Sequence, residues 1–155
     1  MASNVVEAGA LERAAGADVA TGVFPLDDYA DRDRRDAAMA EWLLAHGVDL
    51  VVCAGYMHLL RASFLDRFAG RILNTHSAPL PDFPGAHPIE DVLAAGVTQT
   101  AATVHYVDEG VDTGAVIAAE PVPVRPGDTA ETLRARVQAV EHALLPRVVR
   151  ELAGS

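Results

Sequence analysis

The spacing of apolar and polar residues along the chain alternates between helical and strand-like patterns. "EAGALERAAGA" reads as a short helix that opens the chain, and "VATGVF" as a strand. "DDYADRDRRDAAMAEWLLAHG" predicts a helix with Ala38, Trp42 and Leu43 on its apolar stripe and Gly47 as its stop. "DLVVCAG" is nearly continuous in apolar residues, as expected of a strand covered on both faces. "FLDRFAG" predicts a short helix and "RILN" a second buried strand. "PIEDVLAAG" starts with Pro88 in a first helical turn and ends on Gly96. "TAATVHYV" and "AVIAAEPVPV" are strands joined by "DEGVDTG", which predicts an antiparallel hairpin. The last segment predicts a long helix, with Asp128 and Glu131 as a capping box and Leu133, Val137, Val140 and Leu144 on the apolar face. Alternating elements of this kind predict an α/β fold with a mostly parallel sheet.

Composition narrows the picture. The 155 residues suit a single domain, half of them are apolar, and the net charge is −10. That balance argues against nucleic acid or an anionic membrane as partner, because neutralising phosphates needs a basic face. No apolar run approaches the ~18 residues of a membrane span, and the first residues do not form a signal peptide. Cys53 is the sole cysteine, so it reads as a buried thiol with no disulfide framework. A cytoplasmic location is the default expectation.

The candidate chemistry lies in "RILNTHSAPLPDFPGAHP". Ligands of open α/β sheets bind beyond the carboxyl ends of strands, which is where Asn74 and His76 fall. An asparagine amide can donate to a developing oxyanion, and a histidine can exchange protons near neutral pH. Pro79, Pro81, Pro84 and Pro88 would hold the following loop in one shape. The same residues also fit a histidine that only caps its own loop. A second candidate is "HYVDEGVDTG", with Asp108, Glu109 and Asp112 in one turn. A carboxylate from this turn beside His76 would fix its tautomer and order a water; a solvated hairpin turn is the other reading. The remaining histidines form no metal-ligand spacing, and no GxxxxGK[ST], GxGxxG or GxSxG motif occurs.

"LNTHSAPLPDFPGAHP", "TAATVHYVDEGVDTGAVI" and "RVQAVEHALLPRVV" together resemble the folate-dependent glycinamide ribonucleotide formyltransferases in order and spacing. The resemblance runs through essentially the whole chain. It implies a three-layer Rossmann-like α/β fold, and transfer of a formyl group from 10-formyltetrahydrofolate to the amine of glycinamide ribonucleotide in purine synthesis, without a metal. It places Asn74 and His76 at the formyl group and Asp112 beside His76 and a water. Arg32, Met57, His58, Leu59 and Leu60 would contact the folate, with the turn Asp108, Glu109, Gly110, Val111 closing over its ring. Gln138 and Glu141 would hold the ribose of the acceptor. The chain departs from the family pattern at Ser77 and Ala115, where proline is usual, at Pro79 for leucine, and at His58 for arginine.

The resemblance further implies one domain over residues 1–155 that lacks the family's first strand, phosphate loop and first helix. The neighbours of that strand would carry unpaired backbone groups, and ribonucleotide binding would be weak unless about fifty upstream residues are restored. A formyltetrahydrofolate deformylase, with the same Asn, His and Asp, and an inactive fragment of the transferase are the alternatives. Oligomeric state stays open.

Overall fold

The computed structural model describes residues 1–154; Ser155, the end of the expected span, lies outside the described residues. The chain divides into two compact units, one formed by Met1–Val51 with His58–Ala69, the other by Val52–Met57 with the chain from Gly70 onward.

The first unit opens on a two-residue strand, β1 (Ala2–Ser3), rather than on a helix. It pairs in parallel with β2 (Gly22–Val23), with α1 (Gly9–Ala15) in between and Leu11 buried. After a 3₁₀ turn at Leu26–Asp28 comes α2 (Arg32–Ala45). Its N-cap is Asp31, whose carboxylate accepts from the Arg34 N–H at 2.8 Å. The helix stops as expected, with Gly47 in the left-handed region at φ 68°.

The buried face of α2 differs from the predicted stripe. It consists of Arg35, Asp36, Met39, Ala40 and Leu43, while Ala38 and Trp42 are half-buried. Trp42 instead meets Phe24 edge-on at 6.0 Å and lies 4.0 Å from the His46 ring. Two charged residues can occupy the interior because they satisfy each other. Arg35 Nη2 and Nε donate to Asp36 Oδ1 at 2.7 and 3.0 Å, and Asp36 Oδ2 accepts the Arg61 N–H at 2.9 Å. That last bond ties α2 to α3 (Ala62–Leu65) and its 3₁₀ extension Asp66–Phe68, where Phe64 and Phe68 stack 5.3 Å apart.

The second unit carries a four-stranded sheet in the order β3-β4-β5-β6. Its strands are β3 (Val51–Cys53, begun in the first unit), β4 (Ile72–His76), β5 (Gln99–Tyr106) and β6 (Val116–Pro123). The β5–β6 pair is antiparallel, as the hairpin pattern predicts, and the β4–β5 pair, for which the sequence carried no such signal, is antiparallel as well. The doubly covered strand is β5, buried continuously from Thr100 to His105. β3 is not fully covered: Val52 is 37% exposed and Cys53 half-buried. Near-continuous apolar sequence could not tell these two strands apart.

α4 (Pro88–Ala95) runs from Pro88 in its first turn to Gly96 at φ 64°. α5 (Ala130–Ala153) packs on β5 and β6 and buries Leu133, Val137, Leu144 and Val148; Val140 is only half-buried. The cap of α5 sits one residue later than the predicted Asp128/Glu131 box. The Thr129 hydroxyl accepts from the Thr132 N–H, and the Thr132 hydroxyl accepts from the Thr129 N–H. Asp128 is otherwise engaged, in a two-pronged bond with Arg136 at 2.7 and 2.8 Å. That guanidinium, with the Arg125 N–H and the Thr132 hydroxyl, holds the Asp128 carboxyl well below the usual carboxylate range.

Candidate active site

Period-two alternation puts Asn74 and His76 on one face of β4. The antiparallel register sets Asn74 opposite His105 and His76 opposite Thr103, so all four side chains share that face. A register shift between Val104 and His105 marks a bulge in the β5–β6 pairing, a device that re-aims a side chain locally. The Thr103 hydroxyl donates to the Ala78 carbonyl at 2.8 Å and pins the chain just beyond β4.

His76 is buried, and both ring nitrogens face acceptors. Nε2 donates to the Phe83 carbonyl at 2.6 Å, and since a carbonyl only accepts, Nε2 carries a proton. Nδ1 lies 3.5 Å from Asp112 Oδ2. The proline-rich loop therefore wraps back onto the histidine instead of merely leaving the strand.

Asp112 reaches His76 although 36 residues separate them, because its hairpin turn is bent back. Asp112 adopts φ 54°, in the left-handed region where Asp and Asn are the commonest residues after glycine. Gly114 has no room for a side chain: a Cβ there would run into the Tyr106 carbonyl. The turn is stiffened by Asp108, whose Oδ1 accepts from the Gly110 N–H at 3.0 Å and the Thr113 hydroxyl at 2.6 Å. Asp112 Oδ2 also accepts the Gly85 N–H at 2.8 Å, which ties the turn to the proline-rich loop. Of the three carboxylates in the turn, Asp112 alone faces the imidazole. Asp108 holds the turn, and Glu109, Gly110 and Val111 are exposed.

His105 completes the group, and sequence reasoning passed it over. Its Nδ1 donates to the Tyr106 carbonyl at 2.8 Å, which leaves Nε2 as an acceptor. Nε2 lies 3.3 Å from Asn74 Nδ2 and 3.5 Å from Asp112 Oδ1. Accepting one amide hydrogen of Asn74 fixes which way the amide points and leaves its second hydrogen for another acceptor. The alternation in "TVHY" was a usable signal, but only the β4–β5 register could turn it into a contact.

The other predicted residues divide between the units. Gln138 and Glu141 lie three residues apart on α5; Gln138 is exposed, and Glu141 Oε1 accepts from the Ser77 hydroxyl at 2.7 Å. Met57, 76% exposed, belongs to the second unit. Arg32, His58, Leu59 and Leu60 belong to the first. There His58 is held below its ordinary value, first by desolvation and then by the positive charges of Arg32 and Arg35. Cys53 is pushed up to about 11 by desolvation, so it is no nucleophile at neutral pH. Among the described residues no group of three His, Cys, Asp or Glu is placed to hold a metal ion.

A donor amide, an imidazole and a carboxylate that converge at a strand end can polarise a carbonyl and relay a proton. Comparison with known proteins bears on this geometry. Phosphoribosylglycinamide formyltransferase from Mycobacterium tuberculosis is 50% identical over 147 residues, covering 95% of this chain and 68% of the relative. The Trifunctional purine biosynthetic protein adenosine-3 of Drosophila pseudoobscura pseudoobscura is 42% identical over 92% of this chain, which matches 10% of that longer protein. Among solved structures, glycinamide ribonucleotide transformylase 1 from Symbiobacterium toebii superposes with a TM-score of 0.96 at 44% identity, over 99% of this chain and 72% of that one. The family model described as Formyl transferase matches residues 1–149, and the chain belongs to that family.

Proposed function

We propose that this protein transfers a formyl group from 10-formyltetrahydrofolate to the amine of glycinamide ribonucleotide, with Asn74, His76 and Asp112 as its catalytic residues. The observation that carries the reading is the meeting of these three side chains at the end of β4, with His105 behind Asn74. In the reaction the acceptor amine bonds to the formyl carbon, the bond from that carbon to the donor nitrogen breaks, and one proton passes from the amine to the departing nitrogen. Negative charge gathers on the formyl oxygen in between. The free Asn74 amide hydrogen and the His76 Nε2–H are the donors for it; Nε2 exchanges the Phe83 carbonyl for another oxygen acceptor. Removing one such donor costs on the order of 3 kcal/mol in the barrier. Asp112 holds the ring from the Nδ1 side.

The assignment of Arg32, Met57, His58, Leu59, Leu60 and the Asp108–Val111 turn to the formyl donor rests on the motif match. The transferase is preferred to the deformylase because the relatives cited above carry transferase names. Incubation with donor labelled in its formyl group tests the choice. Transfer predicts label on the acceptor amine and little formate without acceptor. Equal formate release with and without acceptor would overturn it in favour of hydrolysis.

A further inference from the structure

Ser77 directly follows His76, and its hydroxyl reaches across 64 positions to Glu141 Oε1 at 2.7 Å. A serine hydroxyl has one hydrogen, and here it goes to a carboxylate, a charge-assisted bond that is short and directional. The bond anchors one oxygen of the Glu141 carboxylate and leaves Oε2 as a further acceptor. Gln138 lies one turn earlier on the same side of α5, with an exposed amide that both donates and accepts. A fixed carboxylate oxygen beside an amide suits a pair of neighbouring hydroxyls, as in a ribose. A proline at this position would have no hydroxyl to donate, so the bond depends on Ser77 itself.

We infer that Ser77 is a positioning residue that sets affinity for the hydroxyl-bearing half of the acceptor by orienting Glu141. The inference rests on the proposed function, in that the acceptor is a ribonucleotide. Ser77 acts through Glu141, since its one hydroxyl hydrogen is taken up by that carboxylate. Its effect therefore falls on acceptor binding and leaves the chemical step and the formyl donor alone.

Calorimetric binding of glycinamide ribonucleotide, together with steady-state transfer, tests this on Ser77→Ala, Ser77→Thr, Glu141→Ala and the Ser77→Ala/Glu141→Ala double variant. Ser77→Ala should weaken acceptor Kd and raise its KM by about three- to tenfold, the worth of an ordinary hydrogen bond felt through Glu141. Donor KM and kcat should stay within about twofold, Ser77→Thr should restore the parent Kd, and the double variant should bind like Glu141→Ala alone. Should Ser77→Ala not fold, Ser77→Cys, a poor donor of similar size, gives the same readout. Unchanged Kd in Ser77→Ala, a parallel fall of kcat and donor affinity, or a full effect persisting without Glu141 each overturns the inference. A parent protein that binds the ribonucleotide but formylates nothing refutes the transferase reading while Kd still judges Ser77. A parent that does not bind it at millimolar concentration refutes both.

Discussion

Asp112→Asn isolates the charge of the carboxylate from its shape. Asparagine tolerates φ 54° as aspartate does, so the hairpin keeps its bend, and the remaining side-chain oxygen can still accept the Gly85 N–H. What is lost is one negative charge 3.5 Å from His76 Nδ1. With the ring protonated, two unit charges at that distance attract by about 5 kcal/mol at an effective dielectric of ~20. Asp112 retains 13% of its side-chain exposure, and water on that side reduces the figure to about 3–4 kcal/mol. If the imidazole gains positive charge along the reaction, that difference appears in the barrier, a fall in kcat of roughly 10²–10³-fold. Single-turnover formyl transfer at saturating donor and acceptor measures it directly, and thermal unfolding checks that the variant is folded. A folded Asp112→Asn protein with kcat within threefold of the parent would refute the reasoning, because the carboxylate would then be no more than a clamp on Gly85.

Two further outcomes are expected. His105→Phe removes the acceptor that orients the Asn74 amide, and kcat should fall about tenfold, the worth of one hydrogen bond, with acceptor KM unchanged; steady-state kinetics checks the split. Cys53 has a folded value of about 11 against an ordinary 9.0, so the unfolded chain loses its proton first and stability falls as pH rises from about 9 to 11. The contribution is about 3 kcal/mol, and the alkaline loss in urea unfolding should be smaller by that amount in Cys53→Ala.

The elements were legible wherever a local signal decided them. Gly47 and Gly96 stop their helices because left-handed backbone there suits glycine, and Asn74 and His76 share a face because a strand repeats every two residues. What stayed hidden depended on register and on partners far along the chain. Nothing near Asp112 in sequence says that its turn folds back onto His76, which only the family resemblance implied, and nothing near His105 says that Asn74 lies across from it. The buried face of α2 was misread for a related reason. Arg35 and Asp36 look like solvated charges until Arg61, 25 positions beyond Asp36, supplies the N–H that completes the shell of its carboxylate. The cap of α5 moved to Thr129 because Asp128 is held by Arg136.

The interior pair on α2 also constrains how this sequence can drift. Losing either Arg35 or Asp36 alone takes the neighbouring opposite charge from the other in a dry setting, at a cost of about 3–5 kcal/mol. A simultaneous exchange of both for apolar side chains of similar volume removes the charge imbalance, although it also takes the acceptor away from the Arg61 N–H. Viable lineages are thus separated at these two codons by a step that single substitutions cross only through a weakened intermediate, so the pair should persist or vanish together.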